Sequence, residues 1–141
     1  MKRTASAHWK GDIKNGKGEI STQSTTLKET QYSCKSRFED GVGTNPEELL
    51  GASHAGCFTM AVSAALTKAG YPAGDLTTNA TVDYDMKESK IAGITLNLNA
   101  SLIEGLSADQ FKLIATEAKE TCPISKALAS VSILLNVNYN S

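Results

Sequence analysis

An α+β fold is predicted by three features of the sequence. Short alternating segments broken by Gly- and Asn-containing turns fill the first third. A long, almost uncharged helical segment follows from residue 46, and period-two patterning returns after residue 75. Strands, buried helix, strands, helix, strand is an order that sets helices on one side of an antiparallel sheet. At 141 residues the chain has the size of one ordinary domain, 1–141, without repeats or low-complexity stretches.

The segments AHWKGD, KGEIST, TTLKET and YSCKSRFED, separated by turns such as IKNGKG, read as antiparallel strands. In the last of them, strand alternation puts Cys34 with Tyr32 and Phe38 and away from Lys35 and Arg37, as a packed, inert thiol. The long helix has a marked start: Asn45 caps it, Pro46 takes the first helical position, and Glu47 and Glu48 favour the positive end of its dipole. Gly70 ends it. No formally charged residue lies between Leu49 and Thr67, a length that matches a bilayer span of about 18 apolar residues. Gly51, Ser53, His54, Gly56, Ser63 and many alanines make the segment too weakly hydrophobic for that role.

A helix apolar on nearly every side is expected to be buried on every side. Gly51 and Gly56 each cost up to about 1 kcal/mol of helix stability against alanine, so a packing reason is expected for them. One sheet covers one side, which leaves the other to the same helix of a second subunit. Beyond it, Asp75–Met86 and Ile91–Gly105 contain two strands, clearest where Ile94, Leu96 and Leu98 alternate with Thr95, Asn97 and Asn99. Ser107 and Gln110 form a capping-box pattern that opens a helix through about Glu120, with Phe111, Ile114 and Ala118 on one face. CPISKALAS is a short helical piece, and SILLNVNY a closing strand.

Composition narrows the function. A net charge of −1 with scattered lysines and acids provides no basic stripe for a phosphate backbone, so nucleic acid is not an expected partner. Lys2 and Arg3 have no apolar run behind them, so a secretory leader is not expected and a cytoplasmic location is. In that compartment thiols are kept reduced, and a disulfide is transient and catalytic or sensing rather than a structural staple. Cys34, Cys57 and Cys122 form no C-x-x-C, and His8 and His54 do not join them at zinc-ligand spacing, so no metal and no cofactor is expected. Taken alone, Cys57 is most simply a small hydrophobe. Cys122, at the start of a helical piece in ETCPIS, is placed where unpaired N–H groups favour a thiolate.

The stretch GTNPEELLGASHAGCF, followed 65 positions after Cys57 by CPIS, closely resembles the OsmC/Ohr family of osmotically induced and organic-hydroperoxide-resistance peroxidases. AHWKGDIKNGKGEIST is more similar to the OsmC branch, and the resemblance covers almost the whole chain. Ser53 and Gly56 stand where the family usually has alanine, small for small. The resemblance implies an OsmC-like fold, antiparallel sheets packed on two main helices, in an intertwined homodimer with the cysteine-bearing helices central. It also implies a thiol peroxidase acting in osmotic and oxidative stress. Cys57 attacks the peroxide and becomes a sulfenic acid, and Cys122 condenses with it into a disulfide. Arg37 accompanies the Cys57 thiolate, and Glu47 orients the guanidinium. The substrate is an organic hydroperoxide, and the reductant a dithiol of the lipoyl kind carried on a partner protein.

Physical chemistry makes these roles reasonable. An ordinary thiol is only about 3% ionised at pH 7, and burial lowers that further. A guanidinium offsets the burial, and its fork also holds peroxide oxygens, which lysine does poorly. Without the family, Arg37 reads as a solvated strand residue and Glu47 as a dipole partner worth about 0.3–1 kcal/mol. Two rival functions use the same residues. His54, three residues before Cys57 on one helical face, permits a Cys–His acyl transferase or hydrolase, although its expected role is a packed or interface imidazole. A redox-sensing or binding module uses the same disulfide to change shape for a partner.

Overall fold

The computed structural model describes residues 1–140, which divide into two compact units, Met1–Leu49 and the described residues from Leu50 onward. In the first unit β1 (Ala5–Lys10), β2 (Lys17–Thr22) and β3 (Thr30–Tyr32) form an antiparallel sheet in that order. The β1–β2 turn is held by the Asp12 carboxylate, which accepts from the N–H groups of Lys14 (3.0 Å) and Asn15 (2.9 Å). Gly18 lies opposite both Trp9 and Tyr32, and a Cβ there would collide with both rings.

Two sequence expectations fail in this unit. The segment TTLKET is a turn for most of its length, joining β3 only at Thr30, because Thr25 and Glu29 take left-handed φ of 61° and 49° that no strand accommodates. YSCKSRFED is not a strand beyond Tyr32 but the short helix α1 (Cys34–Phe38). Ser33 caps it by accepting from the Ser36 N–H (3.2 Å), while the Ser33 N–H donates to Ser36 Oγ (2.8 Å). The buried Ser36 hydroxyl donates to the Thr44 carbonyl (2.7 Å), and Asn45 donates its side-chain amide to the Ser36 carbonyl (3.1 Å). α1 is thereby tied to the segment that starts the long helix. Cys34 is half-buried at its first position, not in a strand.

α2 (Pro46–Lys68) starts as its sequence predicts, with Asn45 Oδ1 accepting from the Glu48 N–H (2.8 Å), and passes from the first unit into the second. Gly70, at φ +87°, follows its end. The second unit continues with β4 (Leu76–Asp85), β5 (Lys90–Ala100), α3 (Ala108–Thr121), α4 (Pro123–Ala127) and β6 (Ser132–Tyr139). Ser107 caps α3 with the expected box, its Oγ accepting from the Gln110 N–H (3.3 Å) and its own N–H donating to Gln110 Oε1 (3.1 Å).

The sheet order is β4-β5-β6; β4 pairs antiparallel, but β6 runs parallel to β5, so this sheet is mixed rather than antiparallel. The physical reason is the connection: α3 and α4 carry the chain back across the sheet, and a strand returning from such a crossover aligns with the one it left. Leu96 faces Leu135 and Leu98 faces Val137, and in the outward rows Asn136 donates to Asn97 and Asn138 to Asn99, both at 2.9 Å. The alternation read from the sequence holds, since Ile94, Leu96 and Leu98 are fully buried.

Phe58, Val62 and Leu66 of α2, one turn apart, meet that sheet face together with Phe111, Ala115 and Ala118 of α3. Tyr139 closes the core, its ring stacked on Phe111 at 4.2 Å, its hydroxyl accepting from the Ile103 N–H (2.8 Å) and donating to the Leu106 carbonyl (3.1 Å). The expectation of burial on every side of α2 is not met within one chain. Gly51, His54, Phe58, Val62 and Leu66 form a single buried stripe, whereas Met60 is 76% exposed. Gly51 finds its packing reason against Val82 and Ala80 of β4; a Cβ on Gly56 meets nothing within 4 Å.

Candidate active site

Cys57 is carried by α2, is half-buried and packs against the core. Cys122 sits where α3 passes into α4 and is fully buried. Its N–H still closes α3 by donating to the Ala118 carbonyl (2.9 Å), while Pro123, which has no N–H to lose, opens α4. This junction turns the Cys122 side chain onto α2, and the two free sulfurs share a hydrogen bond at 3.2 Å. An S–S bond is about 2.05 Å long, so about 1.2 Å of approach separates them from a disulfide.

The two thiols differ in acidity. Burial pushes Cys57 up, the Ile124 N–H pulls it down, and Cys122 pushes it up again as hydrogen-bond partner and as charge. Burial also pushes Cys122 up, but it is outweighed by the Ser125 N–H, the Cys57 thiol, the Ser125 hydroxyl and the Ile124 N–H, which together hold it below its ordinary range. The sequence anticipated the thiolate-favouring surroundings of Cys122. For Cys57 the sequence anticipated that burial disfavours the thiolate, and burial is the largest influence on that sulfur.

His54, one turn before Cys57, is fully buried, and its Nε2 lies 2.8 Å from the Ser125 hydroxyl. Its Nδ1 has no hydrogen-bond partner among the described residues, and burial lowers its pKa, so the ring is neutral. The imidazole is therefore engaged with Ser125 rather than with Cys57, which leaves the Cys–His hydrolase reading without its dyad. Ser125 was not singled out by the sequence, yet the spacing was legible. His54 precedes Cys57 by three residues and Ser125 follows Cys122 by three, so one helical turn brings the second pair together beside the first.

In the first unit Arg37 and Glu47 meet as expected: Arg37 donates from Nε (2.9 Å) and Nη2 (2.7 Å) to Glu47 Oε1. Glu47 Oε2 is buried without a hydrogen-bond partner among the described residues. The Arg37 guanidinium carbon lies 5.0 Å from the centre of the Phe38 ring. Arg37 thus belongs to α1, not to a solvated strand, and Glu47 does more than complement a helix dipole.

Between α2 and α3 of the second unit runs a cleft of about 640 Å³, lined by Ala61, Ala64, Ala65, Ile114, Ala118 and Thr121 among others. It starts one turn beyond Cys57 on α2 and ends next to Cys122 on α3. Its walls are mostly methyl groups, and Lys68 and Glu117 bring charge to its lining.

Residues 38–136 match the family described as OsmC-like protein. The chain is 43% identical over 123 residues to peroxiredoxin OsmC of Escherichia coli (strain K12), covering 86% of each. It is 31% identical over 104 residues to an organic hydroperoxide resistance protein-like protein of Staphylococcus aureus (strain USA300), covering 70% of this chain and 72% of that one. Among solved structures, the organic hydroperoxide resistance protein OsmC of Legionella pneumophila matches with a TM-score of 0.68 at 25% identity, covering 96% of each chain. The OsmC-like protein of Mycoplasma pneumoniae matches in fold, with a TM-score of 0.76 at 13% identity over 100% of this chain and 99% of that one. With paired cysteines carried on a fold these proteins share, the chain belongs to the OsmC-like protein family.

Proposed function

We propose that this chain is a thiol-dependent peroxidase that reduces organic hydroperoxides to alcohols. The observation that carries the reading is the pair of free sulfurs 3.2 Å apart, one half-buried and one fully buried. The half-buried sulfur, Cys57, is the one a substrate reaches. Its thiolate displaces an alkoxide from the hydroperoxide, the O–O bond breaks, and Cys57 becomes a sulfenic acid while the alkoxide leaves as alcohol. Cys122 then attacks the sulfenic sulfur: an S–S bond forms, the S–O bond breaks, and hydroxide leaves as water. An external dithiol reduces the disulfide by exchange.

Arg37 and Glu47 complete the proposed machinery. The local neighbours of Cys57 raise its pKa, so turnover at neutral pH requires a cation beside the sulfur when substrate binds, and the Arg37 guanidinium is that cation in our reading. Glu47, bonded to Nε and Nη2 through a single oxygen, fixes the plane of the guanidinium. The apolar cleft accepts a carbon tail, which organic hydroperoxides have and hydrogen peroxide lacks. The proposal includes a homodimer formed through the outer face of α2, a cytoplasmic setting and a lipoyl-type dithiol as reductant.

The test is hydroperoxide consumption with dihydrolipoamide for wild type, Cys57→Ser, Cys122→Ser and Arg37→Lys, with mass spectrometry of the oxidised chain. Expected are turnover of cumene hydroperoxide above that of hydrogen peroxide and its complete loss in Cys57→Ser. A disulfide should appear in wild type alone of the two cysteine variants and itself, and kcat/KM should fall by roughly 10²-fold in Arg37→Lys, the loss expected from a misplaced positioning group. Turnover surviving in Cys57→Ser, or faster with hydrogen peroxide, overturns the reading.

A further inference from the structure

Beside the two sulfurs lies a second buried pair that the peroxidase chemistry outlined above does not use. His54 and Ser125 come from elements far apart in sequence, meet at 2.8 Å, and are both buried. A neutral imidazole has one N–H and one bare nitrogen. With the proton on Nε2, His54 donates to the Ser125 oxygen, the serine proton is free to point elsewhere, and the unpartnered Nδ1 is a bare acceptor. With the proton on Nδ1, a buried N–H is left without an acceptor and the serine proton is drawn to the ring. An orphaned buried donor is the costlier outcome.

We propose that His54 and Ser125 are positioning residues for the second half-reaction: the imidazole Nε2–H fixes the Ser125 hydroxyl so that its proton is directed at the Cys122 sulfur. This inference rests on the reading of Cys122 as the thiol that resolves the Cys57 sulfenic acid. The Ser125 hydroxyl is one of the groups that lower Cys122, which agrees with the donor direction. The titratable groups around the pair are Cys57 and Cys122 on the inner side, and Lys119, Glu120 and Lys126 in a cavity of about 300 Å³ that Ser125 also lines. In the step served, the Cys122 thiolate gives an electron pair to the sulfenic sulfur and the S–O bond breaks. The departing hydroxide takes up the proton that the Cys122 thiol gave to solvent, so one water leaves for each disulfide formed. A hydroxyl aimed at Cys122 favours its thiolate and holds the sulfur aligned within the 3.2 Å gap until the sulfenic acid appears.

The experiment follows reduced full-length protein after one equivalent of cumene hydroperoxide by rapid quench and mass spectrometry, so that sulfenic acid formation and disulfide formation are timed separately. Cys122 is titrated by thiolate absorbance in a Cys57→Ser background. In Ser125→Ala the condensation is expected to slow about tenfold more than the peroxide step, and the Cys122 titration to move upward. Ser125→Thr, which keeps the hydroxyl, restores most of both. His54→Phe, which removes the Nε2 donor, shifts both readings in the same direction as Ser125→Ala and supplies the test if that variant does not fold. Unchanged condensation and titration in Ser125→Ala, or equal slowing of both steps without rescue by threonine, overturns the inference. Should wild type itself form no Cys57–Cys122 disulfide, it is the peroxidase reading that fails. Normal condensation in both wild type and Ser125→Ala removes only the role given to His54 and Ser125.

Discussion

A buried imidazole makes a protein sensitive to acid. Burial lowers the pKa of His54 in the folded chain, while the unfolded chain titrates near 6.5. Below that pH the unfolded state binds a proton that the folded state refuses, so stability is fully present above about pH 6.5 and declines as the pH falls beneath it. Thermal unfolding at pH 7.5 and at pH 5.5 is expected to show a drop in Tm that shrinks in His54→Gln. An equal drop in both proteins assigns the acid sensitivity to other groups. At this scale the sequence is readable where residue types stand in a known pattern, as for Cys57 and Cys122, whose sulfurs meet, and for Arg37 and Glu47, which form an ion pair. Ser125 escaped notice because a serine in a short helical piece is common, and only the meeting with His54 across 71 residues gives it meaning.

Among the elements, those whose ends carry a familiar capping pair were legible, and those that start from an unusual cap or an unusual turn were not. Asn45 with Pro46 and Ser107 with Gln110 announce α2 and α3 because the capping atoms lie within four residues of each other. Replacing Ser107 with Ala removes the hydroxyl that accepts from the Gln110 N–H and leaves the backbone arm of the box in place, and a loss of about 1 kcal/mol is expected in urea unfolding with an unchanged m-value. An unchanged midpoint shows that α3 is held by Phe111 and Ala115 alone. In contrast, α1 was hidden because its cap pairs serine with serine, lacking the Glu or Gln that usually marks the box. The turn after β2 was hidden because its left-handed positions are filled by Thr25 and Glu29 rather than glycine. The parallel direction of β6 follows from long-range pairing, which alternation within a strand does not encode.

For the molecule as a whole, the face of α2 turned away from the core is the feature still to be explained. Met60 is largely exposed and Gly56 faces open space, an arrangement that suits a close helix contact from a second copy. Gly56→Leu is expected to leave the single chain folded, since nothing stands within 4 Å of the added carbon, and to shift sedimentation toward the monomer. A wild type that sediments as a monomer at micromolar concentration, or an unaltered dimer in the variant, removes the homodimer from the proposal. Tyr139 has a different consequence. Its ring and hydroxyl complete the packing around Phe111, Ile103 and Leu106, and it lies in the last strand of its unit. A ribosome must therefore release nearly all of that unit before the nascent chain can seal it. Until then the edge of β5 that pairs with β6 stays open beside the apolar row of Ile94, Leu96 and Leu98, so the half-made unit exposes a strand edge and core surface of the kind that aggregates.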